Sequence, residues 1–97
     1  MNLKRETETI LNEHDKGVDD IVWMGEVGKY RVSNRHMLNY LDVEYYNYFG
    51  GHEIPLDLVV VGDDWWLERR EYDGSEWWEF KTIPQPPKAI VRDGKIL

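Results

Sequence analysis

The dipeptide Asp73-Gly74 constrains this chain more than any other feature. Both residues accept the positive φ of a type I′ turn, whose twist matches that of two antiparallel strands. Residues suited to strands flank it on either side, over Trp65–Tyr72 and Glu76–Lys81. Upstream, Leu58–Val61 is a short apolar, β-branched run of the kind that forms a buried strand. Gly62-Asp63-Asp64 separates that run from Trp65 with turn chemistry. The three runs predict an antiparallel meander over residues 58–81, which holds four of the five tryptophans.

Alternation assigns the faces of this meander. Trp65, Leu67, Arg69 and Glu71 share one side of their strand, and Trp66, Glu68, Arg70 and Tyr72 share the other. A two-residue loop sets Arg69 opposite Trp78 and Leu67 opposite Phe80. A four-residue loop through Glu76 instead sets Arg70 opposite Glu79 and Glu68 opposite Lys81. The registers differ by two residues, so face membership is the same in both. Trp65, Leu67, Trp78 and Phe80 form the apolar face. Trp66, Arg70, Tyr72, Trp77 and Glu79, with Glu68 and Lys81, form the mixed one. Aromatic residues rimmed by charge are what a protein interface presents, so those first five are the candidate binding residues. The competing role is structural: a second small core under the N-terminal helices, or Arg70 stacked on Trp77.

The rest of the chain reads as follows. Leu3–His14 has helical spacing, with Asn2 to cap its start and Gly17 to end it. Asp20–Met24 and Lys29–Val32 read as a hairpin around Gly25-Glu26-Val27-Gly28. Ser33 or Asn34 caps a second helix, Arg35–Val43. Residues 44–49 suit helix or strand equally, and Gly50-Gly51 ends whichever forms. Pro84, Pro86 and Pro87 impose an extended path after the meander. The predicted class is α+β, in the order α-β-β-α-β-β-β, with a mostly antiparallel sheet and two helices on one face. Residues 1–87 form one domain, and 88–97 a C-terminal tail with a short edge strand over Lys88–Val91.

The run Gly62–Lys81, preceded by Gly50-Gly51-His52-Glu53-Ile54, resembles a group of small uncharacterised proteins of Gram-positive bacteria and their phages and mobile elements. The resemblance covers the central and C-terminal half and rests on tryptophan pairs on both sides of an Asp-Gly turn. It implies a bacterial or phage source and an intracellular setting, and it carries no catalytic residue with it.

Charge and composition narrow the function. The net charge is −7, and the twelve Lys and Arg form no block, which disfavours direct binding to nucleic acid or to an anionic membrane. The absence of cysteine excludes disulfides, thiolate metal sites and cysteine nucleophiles, and leans towards the cytoplasm. A polar start gives no signal peptide. His52, Glu53, Asp57, Asp63 and Asp64 are the one cluster suited to a metal or to acid–base work, yet their spacing matches no known metal pattern. No cofactor is expected. The leading expectation is a non-enzymatic protein-binding module, an accessory factor of a phage or mobile element acting on a host protein. A ligand-binding protein, metal protein or enzyme built on the His52 cluster is the alternative. Self-association through a sheet edge or the aromatic face is a further one.

Overall fold

A computed structural model describes residues 1–46, 54–92 and 94–96 of the chain. The first helix, α1 (Leu3–Glu13), starts where the Asn2 side chain accepts the Arg5 N–H at 3.0 Å. Leu3, Thr7 and Leu11 recur every fourth residue and are buried, so the helix commits one narrow stripe to the core. It ends earlier than Gly17. Asp15 takes the left-handed conformation (φ 58°), and the Lys16 N–H reaches back to the Leu11 carbonyl at 2.8 Å. With the Asp15 N–H also bonding the Asn12 carbonyl, this is a Schellman motif with aspartate where glycine is commoner. Gly17 serves the next turn instead, donating its N–H to the Asp20 carboxylate.

The following hairpin is shifted from its expected place. Its strands are β1 (Trp23–Glu26) and β2 (Tyr30–Val32), and residues 18–20 form a 3₁₀ turn. Gly25 lies inside β1 rather than in the reversal, because a Cβ there would sit 2.1 Å from the Tyr30 carbonyl oxygen. Here glycine permits close strand approach, and Gly28, at φ 77°, makes the turn.

The second helix is shorter than the sequence pattern suggests. After a 3₁₀ turn over Asn34–His36, α2 spans Met37–Leu41. Met37 and Leu41 lie one turn apart and face the core, which leaves Leu38 exposed. The chain then runs beside residues 1–3. The Leu3 N–H bonds the Val43 carbonyl at 3.0 Å, the Tyr45 N–H bonds the Met1 carbonyl at 2.8 Å, and Asn2 bridges Glu44. Tyr48, Phe49, Gly50 and Gly51 lie outside the described residues.

The meander forms as the turn signals require, as β3 (Leu58–Val61), β4 (Trp65–Tyr72) and β5 (Ser75–Thr82). Asp73 and Gly74 adopt φ of 53° and 84° and close a two-residue turn, so Arg69 pairs with Trp78 and Leu67 with Phe80. The five strands make one sheet in the order β2-β1-β3-β4-β5, every pairing antiparallel. The protein is thus α+β, with both helices contributing to a core on the inner face of the sheet. Met24, Leu58, Val60, Trp65, Leu67 and Trp78 line that core from the sheet side, and Leu3, Leu11, Met37, Leu41, Tyr45 and Ile54 cover it. Tyr30, which alternation places inward, sits exposed at the rim of edge strand β2 and hydrogen-bonds Tyr40 through its hydroxyl.

Two further short strands, β6 (Val91–Arg92) and β7 (Lys95–Ile96), pair with each other and not with the main sheet. No helix among the described residues is long and apolar enough to cross a membrane.

Candidate interaction surface

The open side of the sheet is built by the strand positions that the helices do not cover. Register places Trp23, Val61, Trp66 and Lys81 in one row across β1, β3, β4 and β5. The next row holds Gly25, Val59, Glu68 and Glu79, and beyond it Arg70 stands opposite Trp77. Trp23, Val59, Val61 and Trp66 are each half-buried, giving the middle of this face an apolar strip. The expected membership of the mixed face, including Trp66, Arg70, Tyr72, Trp77 and Glu79, is the observed one.

Ion pairs cover the β4–β5 half of this face. Arg70 Nε lies 2.6 Å from Glu79 Oε2, and Arg70 also approaches Glu68 at 3.6 Å. Lys81 lies 3.6 Å from Glu79 and 3.7 Å from Glu68. The hydrogen bond from Arg70 holds the Glu79 carboxyl below its ordinary range, and Glu79 in turn raises Arg70. The Trp66 indole N–H donates to Glu68 at 2.7 Å, which ties the ring to the charged lattice beside it. Tyr72 is 75% exposed and Trp77 41% exposed. Neither structural role weighed for these aromatics fits. The helices pack on the opposite side of the sheet, where α1 approaches Trp77 only along the β5 edge, and Arg70 engages carboxylates.

The guanidinium that does meet aromatic rings is its neighbour, Arg69. It points inward with 0% of its side chain exposed, 4.8 Å from the centre of the Trp78 ring and 5.4 Å from that of Tyr45. Its Nη1 meets Glu6 on α1 at 3.1 Å, and its Nη2 meets Glu76 on β5 at 2.9 Å and the Tyr45 hydroxyl at 3.3 Å. The Tyr45 hydroxyl donates to Glu6. Burial and then the Glu6 hydrogen bond push the Tyr45 phenol up to about 12. Burial opposes the charge on Arg69, but Tyr45 and Glu6 outweigh it and the net effect raises the guanidinium. Beside this cluster, the Trp78 indole N–H donates to the Thr7 hydroxyl at 2.8 Å, and Thr7 donates to the Leu3 carbonyl. These bonds clamp α1 to β4 and β5, behind the open face. Glu76 is therefore committed to Arg69, while its cross-strand neighbour Glu71 is exposed.

The alternative cluster does not assemble from its described members. His52 and Glu53 lie outside the described residues. Asp57 precedes β3 and pairs with Lys29 at 3.5 Å, while Asp63 and Asp64 follow β3, about 20 Å away at strand rise. Asp63 caps the Asp64 N–H at 3.0 Å, the turn role its residue type suggests. Among the described residues, no three histidine or carboxylate side chains converge as a metal site would require.

Sequence reasoning missed the buried Arg69–Glu6–Glu76–Tyr45 cluster. The one available signal was that alternation put Arg69, and Glu76 opposite Glu71, on the otherwise apolar face. Glu6 and Tyr45 join from 63 and 24 residues away, and no local pattern marks them. In comparisons with known proteins, the chain matches no family model, no curated protein and no solved structure.

Proposed function

We infer that this protein is a non-enzymatic binding module that docks a protein partner on the open face of its sheet. The observation that carries the reading is the half-buried strip of Trp23, Val59, Val61 and Trp66, continued by exposed Tyr72 and Trp77 and edged by the Arg70–Glu79–Lys81–Glu68 lattice. An apolar centre with a charged, solvent-exposed rim is the anatomy of a protein–protein interface. Rigid aromatic side chains give large contact area at low entropic cost, which is why they dominate binding energy at such surfaces. The acidic balance of the chain favours a partner with a basic rim around its contact patch. The resemblance to small proteins of Gram-positive bacteria and their phages supports a host protein as that partner, bound in the cytoplasm.

The test is a pull-down from lysate of a Gram-positive host. Immobilised wild-type protein is expected to retain one host protein. A Trp66→Ala, Trp77→Ala double variant, shown to be folded by circular dichroism, is expected to lose it. Equal retention by both, or retention of nothing, overturns the reading.

A further inference from the structure

The other surface that calls for an occupant is the outer edge of the sheet at β5, over residues 78–82. β5 is an edge strand eight residues long, and the two-residue turn before it dictates which of its backbone groups face outward. Tyr72 and Ser75 flank the turn as a hydrogen-bonded pair, so Trp77, Glu79 and Lys81 also bond β4. The backbone groups of Trp78, Phe80 and Thr82 point away from it. Long edge strands with open ladder groups are templates for an added strand. This edge also has a second wall. α1 runs beside it, and Arg5, Glu6, Thr9 and Ile10 line a groove of about 460 Å³ together with Trp77 and Trp78. A helix beside an edge strand is the arrangement in which β-strand addition supplies main-chain bonds while side-chain contacts supply selectivity.

The chain itself carries a strand without a place on the sheet. β6 and β7 hold two residues each, and a ribbon that small has marginal stability alone in water. Ile83, Ile90 and Val91 are 51%, 60% and 63% exposed. Residues 88–97 contain three of the twelve basic residues and one of the nineteen acids, which leaves nine bases against eighteen acids in the rest of the chain. The segment is thus a basic, apolar strand former attached to a strongly acidic body. Its own groove is difficult to reach. Ile83 still bonds Asp64 at 3.1 Å, in line with β5. Ile83, Gln85 and Pro86 each precede a proline, which disfavours the α region needed for a type I reversal. Residues 83–87 then carry the segment outward by roughly 15 Å as an extended polyproline path.

We propose that the groove between α1 and β5 receives residues 88–92 of a second copy of this chain, exchanged reciprocally in a two-fold dimer. The incoming strand bonds the open edge of β5. Alternation sends Ile90 and Val91 to opposite faces, one against the α1 flank and the other beside Trp77. Trp66 lies on β4, away from this edge, so a Trp66→Ala variant tests the open-face reading separately from this one.

The absence of cysteine makes the test clean. Wild-type protein is expected to sediment as a dimer. An Ile90→Asp, Val91→Asp variant is expected to be a folded monomer, its dimer dissociation constant raised ~100-fold or more by the loss of two buried aliphatic groups. Thr82→Pro, which removes an edge N–H, is expected to weaken the dimer as well. Mixing a Thr9→Cys chain with an Ile90→Cys chain and a short bismaleimide is expected to give a covalent heterodimer in excess of either homodimer. A monomeric wild type overturns the proposal, as does dimerisation unchanged by the Ile90 and Val91 substitutions. A mixture without the cross-linked heterodimer overturns it too.

Discussion

The two faces of the β4–β5 ribbon carry nearly the same side chains and use them in opposite ways. Three adjacent pairs, Trp65-Trp66, Arg69-Arg70 and Trp77-Trp78, each send one member to each face. Inside, Arg69 is sealed between Glu6 and Glu76 and stacked against Trp78 and Tyr45. Outside, Arg70 is held by Glu79 and Glu68 in water, beside a Trp77 that touches solvent. A salt bridge in water contributes little, because its Coulomb gain is screened and its side chains lose freedom. A buried one contributes little net energy as a pair, yet breaking it is costly, because the surviving charge has no solvent. The lesson is that the inner cluster enforces one arrangement of α1 against the sheet, while the outer cluster is free to exchange its partners.

Substitutions at the paired positions test this contrast. The largest effect is expected at Arg69. Arg69→Ala leaves Glu6 and Glu76 buried without their cation and should cost about 3–5 kcal/mol in urea unfolding. Arg70→Ala should leave the midpoint unchanged, and equal losses at the two sites would break the comparison. Trp78→Ala should cost a similar ~3–5 kcal/mol through its cavity and the loss of its hydrogen bond to Thr7. Trp77→Ala should spare stability. Tyr45 gives the next effect. Its phenol is raised to about 12 from an ordinary value near 10, so the folded state favours the protonated form. That contribution is complete below pH ~10 and is lost as pH rises through ~12, by an amount on the order of 2 kcal/mol. Tyr45→Phe should flatten the wild-type decline measured by urea unfolding across that interval. The smallest effect is expected for the outer pair. Glu79 is lowered by Arg70, so the pair operates above the ordinary carboxylate range and is lost as pH falls through the lowered value. A double-mutant cycle on Arg70 and Glu79 should give a coupling that high salt abolishes, and a coupling insensitive to salt would contradict the solvent-exposed reading.

Legibility in the sequence followed the range of the interactions. Asp73-Gly74 and the alternation around it act over a few residues, and the faces of β4 and β5 were readable from them, while the choice between the two-residue and four-residue loop came only with the structure. The mixed-face residues Trp66, Arg70, Tyr72, Trp77 and Glu79 therefore emerged together. Gly25 misled because glycine serves turns and close approaches alike, and only the position of the Tyr30 carbonyl distinguishes them. Asp15 hid the end of α1 because aspartate takes the left-handed conformation less often than glycine. The helix expected to run over Arg35–Val43 is shorter, because Met37 and Leu41 are the two inward positions that α2 supplies to the core. The burial of Arg69 was invisible for a different reason. Its cost is offset by Glu6 and Tyr45, and the contacts exist only once α1 and the segment after α2 have docked.

The same clamp determines the order in which the chain can complete itself during synthesis. α1 leaves the ribosome before its partners Arg69, Glu76 and Trp78, which follow more than sixty residues later. At roughly 5–20 residues per second, that is a delay on the order of several seconds. Through it the helix has little to hold it in shape, since eleven residues is short for a helix alone in water. Its thin stripe of Leu3, Thr7 and Leu11, with a hydroxyl at the centre, offers a chaperone or a neighbouring nascent chain little to grip.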